Sequence, residues 1–176
     1  MYLISIYFDE KTEQIMQNYI NQVAKVTGNI FMLDGNIPPH ITLLGVQGKD
    51  EDKIIKIFED NIDNLVSGKI DFVSVGEFKG QVIFVQPILN EYLHNLSQTV
   101  YSIFEGIEDI SFSPFYAPNL WIPHMSIGKH LDERQMIESF KTLVRLFVPM
   151  EATVTRIGIA KTNPHRDIKI YELTRN

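Results

Sequence analysis

The runs "PPHITLLGV" (38–46) and "WIPHMSIGK" (121–129) carry one pattern twice: proline, histidine, a hydrophobic residue and a small hydroxyl residue. The pattern constrains the fold because its surroundings repeat as well. Residues 2–8 read as a strand rich in Ile, Tyr and Phe. Asp9 caps a helix with Ile15, Tyr19, Ile20, Val23 and Ala24 on one face, closed by Gly28. The loop "DGNIPP" leads into the first histidine strand. A helix follows with Ile54, Ile57, Phe58, Ile62 and Leu65 on its apolar face and Gly68 at its end. "IDFVSVGEF" and "QVIFVQ" then flank a hairpin turn at Lys79-Gly80.

The second half restates this order. Leu89, Tyr92, Leu93, Leu96, Val100 and Ile103 make a helical face, and "ISFSPFYAPNL" leads into the second histidine strand. Asp132 and Gln135 form a capping-box start for a helix with Met136, Ile137, Phe140, Leu143, Val144 and Phe147, stopped by Pro149. "EATVTRIGIA" and "DIKIYEL", joined by "KTNPHR", make a closing hairpin. Strand, helix, histidine strand, helix, strand thus occurs twice. Helices alternating with hairpin-connected strands predict an α+β fold, and 176 residues suit one domain or two small lobes sharing an interface.

Residues two apart on a strand share a face. His40 therefore projects with Thr42, and His124 with Ser126, while Ile41, Leu43, Met125 and Ile127 turn to the core. If the halves pack about a pseudo-twofold axis, the two pairs meet across a central cleft. Histidine titrates near neutrality, so one imidazole can accept a proton while the other supplies one. The hydroxyls suit the non-bridging oxygens of a phosphoryl group. The alternatives are two satisfied core histidines, or two imidazoles sharing a metal ion. No carboxylate joins either motif at ligand spacing, and the phosphoryl chemistry needs neither metal nor other cofactor.

"PHIT" and "PHMS", in this repeated order, resemble the paired His-x-Thr/Ser motifs of the 2H phosphoesterase superfamily, with LigT-like 2′-5′ RNA ligases and cyclic phosphodiesterases as the nearest kin. The resemblance implies a bilobal, pseudo-twofold duplicated fold in which two antiparallel sheets line a central cleft with helices outside. It covers residues 1–176 as a single domain, with lobes from about 1–80 and 81–176 and room for strand exchange between them. It implies hydrolysis of a 2′,3′-cyclic phosphate, or cleavage or formation of a 2′-5′ phosphodiester, on a small nucleotide or RNA end. A non-catalytic phosphate-binding module using the same cleft is the alternative. His40 and His124 match the catalytic histidines, and Thr42 and Ser126 the phosphate-binding hydroxyls. By this likeness His124 is the base and His40 the acid.

Other residues are candidate substrate contacts. Lys129 can neutralise phosphate if Gly128 introduces a bulge; strict alternation turns it away from His124, and a solvated strand end is the alternative. A base can stack on Phe115, Tyr116 or Trp121; packing under the loop is the alternative. Tyr7 and Phe8 serve the core or line the cleft. His94 falls off its helix's apolar stripe and is expected to face solvent, and His130 lies in a loop. His165 and Arg166 reach a substrate only if the last hairpin folds over the cleft. The first motif has no basic residue near it.

Composition narrows the partners. The net charge is −6 with no Lys/Arg block, which argues against coating long duplex nucleic acid, where phosphate neutralisation supplies most of the affinity. The absence of cysteine removes disulfides, thiolate catalysis and thiolate metal sites. No apolar run is long enough to span a bilayer, and "MYLISIYF" reads as a strand rather than a leader. The expectation is a soluble cytoplasmic protein.

Overall fold

In the computed structural model, which describes residues 1–117, 119–162 and 165–174, strand β1 (Tyr2–Phe8) sends its even-numbered residues Tyr2, Ile4, Ile6 and Phe8 into the core. Leu3, Ser5 and Tyr7 occupy the opposite face, as a period of two requires. Asp9 then caps α1 (Glu10–Thr27) by accepting from Thr12 N, and Gly28 closes it at φ 71°. The same Asp9 carboxylate accepts from Thr153 N at 2.9 Å, which ties the start of α1 to the far end of the chain. The short α2 (Phe31–Asp34) leads to β2 (Ile41–Gln47), α3 (Glu51–Glu59), β3 (Gly68–Phe78) and β4 (Val82–Pro87). The second half runs α4 (Glu91–Phe104), β5 (Ser111–Phe112), β6 (Met125–Gly128), α5 (Glu133–Leu146), β7 (Met150–Lys161) and β8 (Arg166–Glu172).

The hydrogen-bonded strand order is β5-β2-β1-β7-β3-β4-β6, with β8 also paired to β7. The central path β2-β1-β7-β3-β4-β6 reads the same from both ends once β1 is exchanged with β4, β2 with β6 and β3 with β7. The helices obey the same exchange: α1 packs on β6 and α5, while α4 packs on β2 and α3. The fold is therefore a duplicated α+β architecture, an eight-stranded antiparallel sheet with helices outside. The two halves of the sheet join through β7. Its first residues pair with β3, and its later ones with β1 on one edge and β8 on the other. Each half's first helix covers the other half's histidine strand, so the halves interlock and bury a continuous core.

Two expectations change. The second helix stops at Glu59, not at Gly68, because Asn61 Nδ2 caps the Ile57 carbonyl at 2.9 Å. Gly68 instead opens β3 beneath the Tyr92 ring, where a Cβ would lie 2.4 Å from ring carbons. Helix α5 begins with the reciprocal Asp132–Gln135 capping box, but α1 covers only one strip of it. Leu143 is buried, whereas Ile137, Phe140 and Val144 stay exposed. Of the two loop stretches singled out in the sequence, Pro118 in the first and Asn163 and Pro164 in the last turn lie outside the described residues. No helix among the described residues is long and apolar enough to cross a membrane.

Candidate active site

His40 and His124 immediately precede β2 and β6, each with its ring tied back to the segment that leads into its strand. His40 Nδ1 donates to the Pro38 carbonyl at 2.7 Å, and His124 Nδ1 donates to the Ile122 carbonyl at 2.9 Å. A carbonyl can only accept, so both Nδ1 atoms carry hydrogen and both Nε2 atoms are left for chemistry. Both rings line one cavity of about 230 Å³ together with Thr42, Ser126, Tyr116 and Lys129. Met1, Leu3 and Thr162 complete its wall.

Lys129 arrives there through a bulge. Opposite β4, the register passes from Ile83↔Gly128 to Phe84↔Ser126 and leaves Ile127 without a partner. The extra residue changes the facing of everything after it. Gly128 turns towards α1, where a Cβ would meet Val23, and Lys129 turns into the cavity. The bulge lies one residue earlier than glycine alone suggested. The first motif carries its counterpart: Ile4↔Leu44 passes to Ser5↔Thr42 and skips Leu43. By this equivalence the partner of Lys129 is Gly45. A Cβ on Gly45 would lie 3.0 Å from the Tyr116 ring, so an aromatic ring fills the place that a cation holds on the other side.

The environments differ further. His40, 7% exposed, lies 6.3 Å from the Tyr7 ring and 6.3 Å from a nearly parallel His165 ring. Ser5 Oγ lies 3.3 Å from Thr42 Oγ1. On the other side Phe84 takes the position of Ser5, and His124 packs edge-on against Phe78 at 4.8 Å. Burial, reinforced by Lys129, His165 and His124, pushes the His40 imidazole down to about 4 against the pull of its Pro38 bond. Burial also lowers His124, with Lys129 adding to it and the Ile122 bond opposing it. Lys129 is itself lowered by burial. The cavity thus offers two neutral imidazoles, the hydroxyls of Thr42, Ser126, Tyr116 and Thr162, and the side-chain amine of Lys129. Among the described residues no carboxylate lines it, and no three His, Asp or Glu side chains cluster as a metal site.

With this geometry in place, comparison with known proteins gives a family. The sequence model of the 2′-5′ RNA ligase superfamily matches residues 17–166. The chain belongs to the 2′-5′ RNA ligase superfamily. A comparison with curated proteins returns no match. Among solved structures, the chain is similar to TT0787 of Thermus thermophilus, with a TM-score of 0.68 at 13% identity over 99% of this chain and 98% of that one. It is similar to Escherichia coli LigT complexed with 3′-AMP, with a TM-score of 0.61 at 13% identity over 98% and 97% of the two chains. It is also similar to Kluyveromyces marxianus Usb1, with a TM-score of 0.51 at 16% identity over 98% and 97%. At these identities the likeness is one of fold.

In this superfamily member the remaining candidates scatter. Trp121 is buried, and its Nε1 donates to the Thr42 carbonyl at 3.0 Å, bracing the strand that carries the hydroxyl. Phe115 is 76% exposed and does not line the cavity, so Tyr116 is the one aromatic of the three that does. Tyr7 and Phe8 are both buried, with Tyr7 on the His40 side. His130 packs on Phe31 in a loop. His94 does not face solvent fully; it lines a separate cavity behind Tyr116. His165 reaches the His40 ring, held by Asp167 Oδ1 at 3.1 Å. Arg166 instead pairs with Glu51 at 3.1 Å. Ser5 and Thr162 were not legible as site residues. For Ser5, the signal was available: it alternates with Leu3 and Tyr7 on the face opposite the apolar stripe.

Proposed function

We propose that this protein is a phosphoesterase that opens a 2′,3′-cyclic phosphate on a small nucleotide or RNA end. The observation that carries the reading is the shared cavity, into which both strands present an imidazole and a hydroxyl, with both Nδ1 atoms tied to carbonyls. A cyclic phosphate seated there takes hydrogen bonds from Thr42 and Ser126 and the charge of Lys129 on its non-bridging oxygens. One neutral imidazole removes a proton from water as the water oxygen attacks phosphorus in line. The bond from phosphorus to one ribose oxygen breaks, and the other histidine, protonated, gives that oxygen its hydrogen. The product is a phosphomonoester with the neighbouring hydroxyl restored. No step needs a metal ion.

The deeper burial of His40 favours its neutral form more than that of His124. We therefore assign His40 as the base and His124 as the acid, the reverse of the order implied by the resemblance. A bound anion raises both imidazoles but leaves this difference in burial intact. The net charge of −6 and a cavity with one lysine and no arginine among its described lining residues suit a short substrate better than a long duplex.

The test is turnover of adenosine 2′,3′-cyclic phosphate followed by phosphorus NMR in the presence of a chelator. His40→Ala and His124→Ala are each expected to lose roughly 10²- to 10⁴-fold in kcat with unchanged circular dichroism. Wild-type turnover in either variant rejects the assignment. Saturable binding without product would leave a phosphate-binding module.

A further inference from the structure

The exchange that carries β3 onto β7 leaves β8 without a counterpart. On one edge β7 pairs first with β3, through residues 150–154, and then with β8, through residues 156–161. The matching edge of β3 pairs with β7 through residues 68–72 and then stops. Over residues 74–78 it has no partner among the described residues, although the opposite edge stays paired with β4. Because Ile70↔Ala152 pairs across the exchange axis, Val75 answers Ile157 and Glu77 answers Ile159. Matching bulges precede them, skipping Val73 in β3 and Thr155 in β7. Val75 and Glu77 lie on the α5 side of the sheet, as do their core partners Val85 and Ile83 in β4.

The strand that β7 gains is the one that covers α3. Opposite Ile157, Tyr171 packs on Phe58 with ring centroids 6.1 Å apart and donates its hydroxyl to Glu59. Opposite Ile159, Lys169 pairs with the same carboxylate. Phe58 is fully buried there. Counted from the caps Asp50 and Asp132, Phe140 stands in α5 where Phe58 stands in α3, and Lys141 where Glu59 stands. That place is bare. Phe140 is 44% exposed with Ile137 and Val144 open beside it, and Lys141 makes a solvated pair with Glu138. Since α5 packs on β3 and β4, an unpaired sheet edge and an uncovered apolar helix face adjoin.

Charge selects the occupant. The helix residue changes sign from Glu59 to Lys141, so the missing strand carries an acid where β8 carries a base. Open edges are commonly guarded by charged side chains and bulges, and β3 has both, in Glu77 and at Val73. Glu77 is also the acid that Lys141 calls for. Its carboxylate accepts from Gly80 N in the β3–β4 turn and has a second oxygen left over. Antiparallel pairing of two identical edges sets a twofold axis normal to the sheet and keeps each side chain on its own face. With that axis at Gly76, Val75 lies opposite Glu77 of a second copy. That glutamate then takes the place of Tyr171, with its stem on Phe140 and its carboxylate at Lys141.

We propose that these surfaces form a dimer interface, in which two copies of the chain join their β3 edges antiparallel about Gly76 and close over the apolar stripe of α5. The dimer forms or fails without substrate, so the interface is independent of the phosphoesterase reading.

Sedimentation equilibrium of the full chain across the micromolar range tests it. Wild type is expected to pass from monomer to dimer as concentration rises. Phe140→Asp and Glu77→Lys are each expected to weaken association by roughly tenfold or more, with circular dichroism unchanged. Adding Lys141→Glu to Glu77→Lys restores the ion pair with its ends exchanged and is expected to recover most of that loss. Hydrogen exchange at the amides of residues 74–78 should slow as the dimer forms. A peptide of residues 73–79 is the probe for a foreign strand. If it protects the edge of a chain that itself stays monomeric, the second copy is overturned as the occupant. Monomers at every concentration overturn it equally. A dimer that Phe140→Asp leaves intact, that the charge exchange does not recover, or whose edge amides exchange as in the monomer overturns the placement of the interface.

Discussion

Replacing His40 with Asn tests the electrostatics of the site through stability alone. The Asn amide can still donate to Pro38 O, so the substitution removes a titrating ring while keeping its backbone bond. In the folded protein burial holds His40 at about 4, against an ordinary value of 6.5. At about 1.4 kcal/mol for each pH unit of displacement, keeping the ring neutral corresponds to about 3 kcal/mol. The sign follows from which state binds more protons. Above pH 6.5 the ring is neutral in both states and adds no pH dependence. As pH falls from 6.5 towards 4 the unfolded chain takes up a proton that the folded chain refuses, and stability drops. Below about 4 both states are protonated and the loss is complete.

At pH 5 the loss amounts to about 2 kcal/mol. Urea unfolding of wild type and His40→Asn at pH 7.5 and 5.0 isolates it. His124 and the carboxylates titrate in both proteins, so their contributions largely cancel in the comparison. Wild type is expected to lose about 2 kcal/mol more than the variant between the two pH values. Parallel losses in the two proteins would refute the buried neutral imidazole, and with it the assignment of His40 as a base ready at neutral pH.

Two further perturbations follow from the same geometry. Lys129→Met removes the cavity's cation but keeps the stem, so competitive inhibition by inorganic phosphate should weaken roughly tenfold to a hundredfold. Because burial already disfavours the ammonium, the melting temperature of Lys129→Met should hold or rise; a lower melting temperature with unchanged inhibition would place the amine outside the phosphate site. Gly158→Ala sets a Cβ 2.6 Å from the Lys169 carbonyl oxygen, which forces β8 away from β7. A loss of about 1–3 kcal/mol in urea unfolding is expected, with hydrogen exchange accelerated first in β8; an undisturbed hairpin would contradict that packing.

Much of this protein was written locally. Asp9, Gly28 and the Asp132–Gln135 pair fix helix ends through bonds within a few residues of themselves, so they are legible without a fold. The same holds for each histidine, whose Nδ1 finds a carbonyl two residues back along the chain. Alternation placed Thr42 beside His40 and Ser126 beside His124. The repeated element order implied the duplication, because it needs only the sequence of elements and not their partners.

Tertiary structure decided what depends on partners. The facing of Lys129 turns on which residue of β4 opposes Ser126, and no pattern within β6 contains that register. What fills the equivalent place at Gly45 is set by Tyr116, which arrives from a non-repeating loop about seventy residues away. That Trp121 packs rather than stacks on a ligand, and that His94 leaves the solvent face expected of it, has the same reason: a loop's path along the edge of β2 is chosen by the strand it meets. On α5 the apolar stripe of Ile137, Phe140 and Val144 is wider than the surface α1 offers to cover it. Periodicity reports which face of an element can be buried, but only the neighbouring element determines how much of that face is.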